Sequence, residues 1–84
     1  MTTLPPPRLG APLSDRELQV LDGISDGQPY GQIAAALGLE RDTVAAHAQR
    51  LRAKLGARDN AHAVGIACRA QILGSPAAGG RWAA

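Results

Sequence analysis

The sequence predicts an all-α fold of four short helices, and three observations carry that expectation. Apolar residues recur at spacings of three and four, cap residues bracket the apolar stretches, and no segment alternates as a half-buried strand does. The first helix is announced by LSDREL. Ser14 stands where it caps the first turn, and Glu17, three residues on, reaches back to the Ser14 amide as a capping box. Leu13 and Leu18 occupy the staple positions around that cap, and Asp15 and Glu17 suit the positive end of the helix dipole. Leu18, Val20, Leu21 and Ile24 form the inward side, and Gly27 with Pro29 closes a helix over about 15–25.

Pro29 suits the start of a second helix, because the amide it lacks has no partner there. That helix covers about 30–37, with Ile33, Ala34 and Leu37 facing inward. Gly38 then supplies the positive-φ residue that ends it, and Leu39 tucks under both neighbours. A third helix runs over about 41–54, its apolar stripe made by Val44, Ala48, Leu51 and Leu55, and Gly56 terminates it. Asn60, or alternatively Asp59, caps a fourth helix over about 61–72 with a stripe of Val64, Ala67, Cys68 and Ile72. The foldable unit is residues 13–73. Residues 1–12, with three consecutive prolines, and residues 74–84, rich in Gly and Ala, are expected to be disordered.

A unit of this size is near the lower limit for one core without disulfides or metal, which argues against an enzyme with a deep pocket. One cysteine excludes an intramolecular disulfide, and Cys68 reads as a small buried hydrophobe rather than a reactive thiol. His47, His62 and Cys68 lack the short pair spacing of a zinc site, so no metal or other cofactor is expected. No Ser, His and acid arrangement and no phosphate-cradling glycine loop is present. The absence of a signal peptide or membrane-length apolar run leads to the expectation of a soluble, cytoplasmic protein.

Charge is uneven. Residues 1–40 sum to −3, residues 41–58 to +4 and the remainder to +1, for a net +2. A basic helix entered through a short turn at Gly38 reads as a helix-turn-helix, so duplex DNA is the first partner to consider. The surface of the third helix opposite its apolar stripe carries Arg41, Ala45, Ala46, Gln49, Arg50 and Arg52.

The segments LSDRELQVL, GQPYGQIAAALGL and DTVAAHAQRLRAKLGARDNAHAV resemble, in order and spacing, the LuxR-type (FixJ- or GerE-type) helix-turn-helix domain. The resemblance covers about residues 13–73. Its most specific matches are Leu13, Arg16 and Glu17, then Gly27, Ile33, Ala34 and Leu37, then Thr43, Val44, His47, Leu51, Lys54 and Leu55, and finally Ala63 and Val64. It implies that helix three enters the major groove and that helix four mediates dimerisation through Val64, Ala67, Cys68 and Ile72. It also implies base reading from Ala45, Ala46 and Gln49, and backbone proximity for Thr43, His47 and Lys54.

The chain departs from the family pattern at several points. Ala45 stands where Lys is common, Pro29-Tyr30-Gly31-Gln32 where Ser-Asn-Lys-Glu is usual, Glu40 where Ser commonly caps, and Asn60 where Arg is usual. Fewer phosphate contacts, and a flatter salt dependence, are therefore expected. Gln49 is the best direct reader, since its amide matches adenine N6 and N7, while Ala45 and Ala46 suit thymine methyls. Arg41, Arg50 and Arg52 are candidates for phosphate or guanine. Tyr30 stands where its hydroxyl meets a phosphate or its ring packs into the core.

The resulting expectation is a free-standing transcriptional regulator that binds duplex DNA as a homodimer, the dimer forming mainly on DNA because helix four is short and alanine-rich. With only irregular residues before helix one, control is expected from expression level, a protein partner or promoter competition. The rival reading is a protein-interaction module with this fold that has lost strong DNA binding and modulates another regulator or the transcription machinery.

Overall fold

A computed structural model describes residues 8–70. It contains four helices, α1 (Asp15–Ser25), α2 (Tyr30–Leu37), α3 (Arg41–Leu55) and α4 (Asn60–Arg69), and no strand among the described residues. The expected all-α, four-helix fold is what is found. Helix α3 lies at the centre and packs on all three others, while α1 also contacts α2 and α4. The core is small: Val20, Leu21, Ile33, Ala34, Val44, Ala48, Leu51, Ala63 and Ala67 are buried, with Leu39 and Leu55 partly buried against them. Burying a side chain such as Leu21 or Leu51 contributes about 1.5–3 kcal/mol, so a few aliphatics anchor the whole unit.

The cap reading of α1 holds in full. The Glu17 amide donates to Ser14 Oγ at 3.1 Å, and the Ser14 amide donates to Glu17 Oε1 at 2.9 Å. The turn between α2 and α3 also follows the expectation, with Gly38 at φ 69°, ψ 33° and the Leu39 amide donating to the Ala34 carbonyl at 2.9 Å. A side chain at that φ is strained by its own backbone. Gly23, which no sequence signal singled out, is required for a different reason: a Cβ there would lie 2.8 Å from Ile33 Cγ1. Its absence lets α1 and α2 approach.

Two helix limits and the placement of Cys68 differ from the sequence expectation, and Ala63 joins the core unforeseen. Helix α3 extends to Leu55. Helix α4 is capped by Asp59, whose Oδ1 accepts from the His62 amide at 2.8 Å, so Asn60 is the first helical residue rather than the cap. The continuation of this helix to Ile72 lies outside the described residues. On α4 the inward residues are Ala63 and Ala67, while Val64 is half-buried and Cys68 is exposed. Cys68 is therefore not a core residue. Ala67, also expected at a dimer surface, has no exposed surface and lies in the chain's own core. In an alanine-rich helix the phase of the buried stripe is weakly marked, because small apolar residues occur all round it.

Residues 8–12, within the segment expected to lack structure, run along the end of α3. The Gly10 amide donates to the Lys54 carbonyl at 2.8 Å, and Lys54 Nζ donates to the Pro12 carbonyl at 3.1 Å. A carbonyl left unpaired by the end of α3 is satisfied in this way.

Candidate nucleic-acid interface

Helix α3 meets the core through Val44, Ala48 and Leu51, which fixes what it offers outward. Arg41, Asp42, Thr43, Ala46, Gln49 and Ala53 are exposed, and Ala45, His47, Arg50, Arg52 and Lys54 are half-buried. Beyond the charged first turn of Arg41 and Asp42, the outermost strip is Ala46, Gln49 and Ala53, with Gln49 as its one long hydrogen-bonding side chain. The N-terminus of α3 has no side-chain cap from Glu40.

The cations of α3 are deployed differently from the open basic stripe read in the sequence. Glu17, only 2% exposed, gathers two of them. Lys54 Nζ donates to Glu17 Oε1 at 2.6 Å and Arg50 Nε to Glu17 Oε2 at 3.3 Å. Burial alone raises the pKa of Glu17, but the Lys54 hydrogen bond, the Ser14 amide, the Lys54 charge and Arg50 together outweigh it. The carboxyl is held below its ordinary value. Lys54, with a side chain only 10% exposed and its ammonium on Glu17 and the Pro12 carbonyl, joins α3 to α1. A phosphate at its expected place would compete with these two partners for the ammonium. Arg50 is drawn toward the same carboxylate while keeping a side-chain exposure of 25%.

On the other flank of α3, Arg52 Nη1 donates to Asn60 Oδ1 at 2.6 Å and reaches Tyr30 Oη at 3.4 Å. Asn60 Nδ2 donates to the same Tyr30 oxygen at 2.9 Å. The ring of Tyr30 also packs against the core, so packing, one of its two expected roles, is established. Three helices meet in this polar cluster. Sequence reasoning missed Glu17 as a hub and Asn60 as a partner of Arg52. No local signal marks either: Glu17 lies 37 residues from Lys54, and Asn60 lies eight from Arg52 on a different helix and 30 from Tyr30.

His47 is half-buried on the α3 flank, and its Nδ1 is buried with no hydrogen-bond partner among the described residues. A proton on that nitrogen would be a buried donor without an acceptor, which favours the tautomer carrying hydrogen on Nε2. No group of three His, Cys, Asp or Glu residues able to hold a metal occurs among the described residues. A groove of about 320 Å³ between α1 and α2 brings Asp22 and Asp26 near Ile33 and Leu37 with no nucleophile beside them. No helix of the described residues is long and apolar enough to cross a membrane.

Two sequence comparisons bear on this arrangement. Residues 11–67 match the family described as "Bacterial regulatory proteins, luxR family". Two proteins named "Probable transcriptional regulatory protein NarL", from Mycobacterium tuberculosis strains CDC 1551 / Oshkosh and ATCC 25618 / H37Rv, are each 48% identical over 61 residues. The matched stretch is 73% of this chain and 28% of each relative, so the chain spans little more than a quarter of their length. The matched family consists of regulators and not enzymes. The helix-turn-helix geometry of α2 and α3 and the match over most of the folded unit lead to one conclusion: the chain belongs to the LuxR family of bacterial regulatory proteins.

Proposed function

We propose that this protein is a transcription regulator that binds duplex DNA in a sequence-specific way, with α3 in the major groove and a second copy engaged through α4. The observation that carries this reading is the outward strip of α3. Ala46, Gln49 and Ala53 are exposed on a helix whose opposite side is fully buried, so a low surface with one amide reader is held rigidly outward. Gln49 pairs with adenine N6 and N7, and the methyls of Ala45 and Ala46 meet thymine methyls, which favours A·T pairs at the centre of each half-site. Arg41 and Thr43, exposed at the start of α3, and His47 through Nε2–H serve the phosphate backbone, with Arg50 and Arg52 on the flanks. A second copy docks through the outer side of α4, where Val64 and Cys68 are accessible; Ile72, also expected there, lies outside the described residues.

One observation favours the rival reading, an interaction module with little DNA affinity. Glu17 takes up Lys54 and draws on Arg50, so fewer cations serve phosphates than the sequence count suggests. A single titration decides between the two. Wild type and Gln49→Ala are titrated with selected and random duplexes at two salt concentrations. Tight binding to a selected site, lost in part by Gln49→Ala, supports regulation through α3. Equal weakness on every duplex at moderate salt rejects it and turns the search to a protein partner.

A further inference from the structure

We infer that Tyr30, Arg52 and Asn60 form a single oxyanion site for one backbone phosphate of duplex DNA, with Asn60 as the positioning residue that aims the other two. The inference rests on the DNA reading above and adds to it Asn60 on α4, which sequence reasoning had counted among the losses of phosphate contact.

Counting hydrogens makes the case. Asn60 Oδ1 accepts from Arg52 Nη1 at 2.6 Å, and Asn60 Nδ2 donates to Tyr30 Oη at 2.9 Å. Arg52 Nη1 approaches the same oxygen at 3.4 Å. The Tyr30 oxygen thus faces two N–H donors, so its own O–H points away from the cluster. Arg52 retains its Nε–H and both Nη2 hydrogens, and Asn60 retains one amide hydrogen. No carboxylate pairs with Arg52 among the described residues. The cluster therefore carries surplus donors and one uncompensated positive charge against a single unused lone pair on Asn60 Oδ1, a balance that suits an oxyanion.

Its place in the fold matches a flanking phosphate. Tyr30 is the first residue of α2, whose N-terminus has no side-chain cap and adds the positive end of its dipole. Arg52 lies three residues beyond Gln49 on α3, about 4.5 Å along its axis. A backbone held there borders the same groove that Gln49 reads.

The test uses the full chain as wild type, Tyr30→Phe, Asn60→Ala, Arg52→Gln and the double variant Asn60→Ala/Arg52→Gln. Affinity is measured on a selected and a random duplex across a salt series, with a thermal melt of each protein. Arg52→Gln is expected to flatten the dependence of log K on log salt by about one unit. Tyr30→Phe and Asn60→Ala are expected to weaken binding about 3- to 10-fold, equally on both duplexes. In the Arg52→Gln background, Asn60→Ala should add little. Tyr30→Phe keeps its ring on the core, so it reports even where another variant fails to fold.

Lowered melting temperatures with wild-type affinity and salt slope would make the cluster structural and overturn the inference. So would weakening confined to the selected site, which signals base reading. Saturable binding of inorganic phosphate alone, followed through the ring signals of Tyr30, the chain's single tyrosine, would assign the site to a free oxyanion and overturn its assignment to DNA. Wild type that binds no duplex at all brings down the DNA reading itself, an outcome distinct from wild type that binds while the variants match it.

Discussion

The two flanks of α3 solve the same problem, a cation beside a small core, in opposite ways. Toward α1, Lys54 meets the buried carboxylate of Glu17 and its charge is spent within the molecule, while the more exposed Arg50 is only drawn toward the same carboxylate. Toward α2 and α4, Arg52 meets only neutral oxygens, those of Asn60 and Tyr30, and its charge is oriented without being cancelled. The first flank is therefore a structural joint and the second an available electrostatic surface. Four cations on one helix look equivalent in a sequence, and their partners sort them.

The largest effect should come from breaking the ionic flank. Glu17→Ala removes half of a capping box and leaves Lys54 without its counterion; the unfolding free energy in urea is expected to fall by about 3–5 kcal/mol. Arg50→Ala, at the more exposed and longer contact, should cost less than about 1 kcal/mol. Equal losses for the two would show that the joint is not centred on the buried pair. The same flank sets an acid limit. Because the folded pKa of Glu17 is lowered, its contribution is present above the usual carboxylate range and is lost as pH falls through the lowered value. Glu17→Gln should flatten that part of the acid-unfolding curve, and Tyr30→Phe should leave its shape unchanged.

Next in size is the outward strip between the flanks. Gln49→Ala should erase about 1–3 kcal/mol of discrimination between a selected A·T-containing site and its substituted versions, with no change in urea midpoint. A shift in the midpoint without loss of discrimination would move Gln49 from reading to packing. The smallest effect is expected on α4, away from both flanks. Cys68 is exposed, so Cys68→Ser should alter stability by no more than about 0.5 kcal/mol, and a thiol reagent should modify the native protein rapidly. Slow modification in the free chain would return Cys68 to the core, against its position on the helix.

Local signals were legible where the residues that act on each other are close in sequence. The capping box needs only Ser14 and Glu17, and the turn needs only Gly38 and Leu39, so both could be read directly. The apolar stripe of α3 was legible because its larger members, Val44 and Leu51, stand out among alanines and polar residues at helical spacing. On α4 the stripe was right at Ala67 and Val64 but missed Ala63 and wrongly included Cys68, since Ala61, Ala63, Val64, Gly65 and Ala67 offer little contrast between inside and outside. The candidate site was half legible: Gln49 and Ala46 are outward as read, whereas Lys54 is paired within the fold.

By itself, then, the sequence determined the helices, their caps, the helix-turn-helix and the family, because each follows from residues within a few turns of one another. Only the tertiary structure decided which cations are internal partners and which remain for an anion. That choice depends on contacts such as Glu17 with Lys54 and Asn60 with Tyr30, made by residues far apart in the chain and brought together by packing around α3. An arginine or lysine carries the same charge wherever it stands; whether that charge reaches a partner depends on what lies within 3 Å or so of its nitrogen atoms.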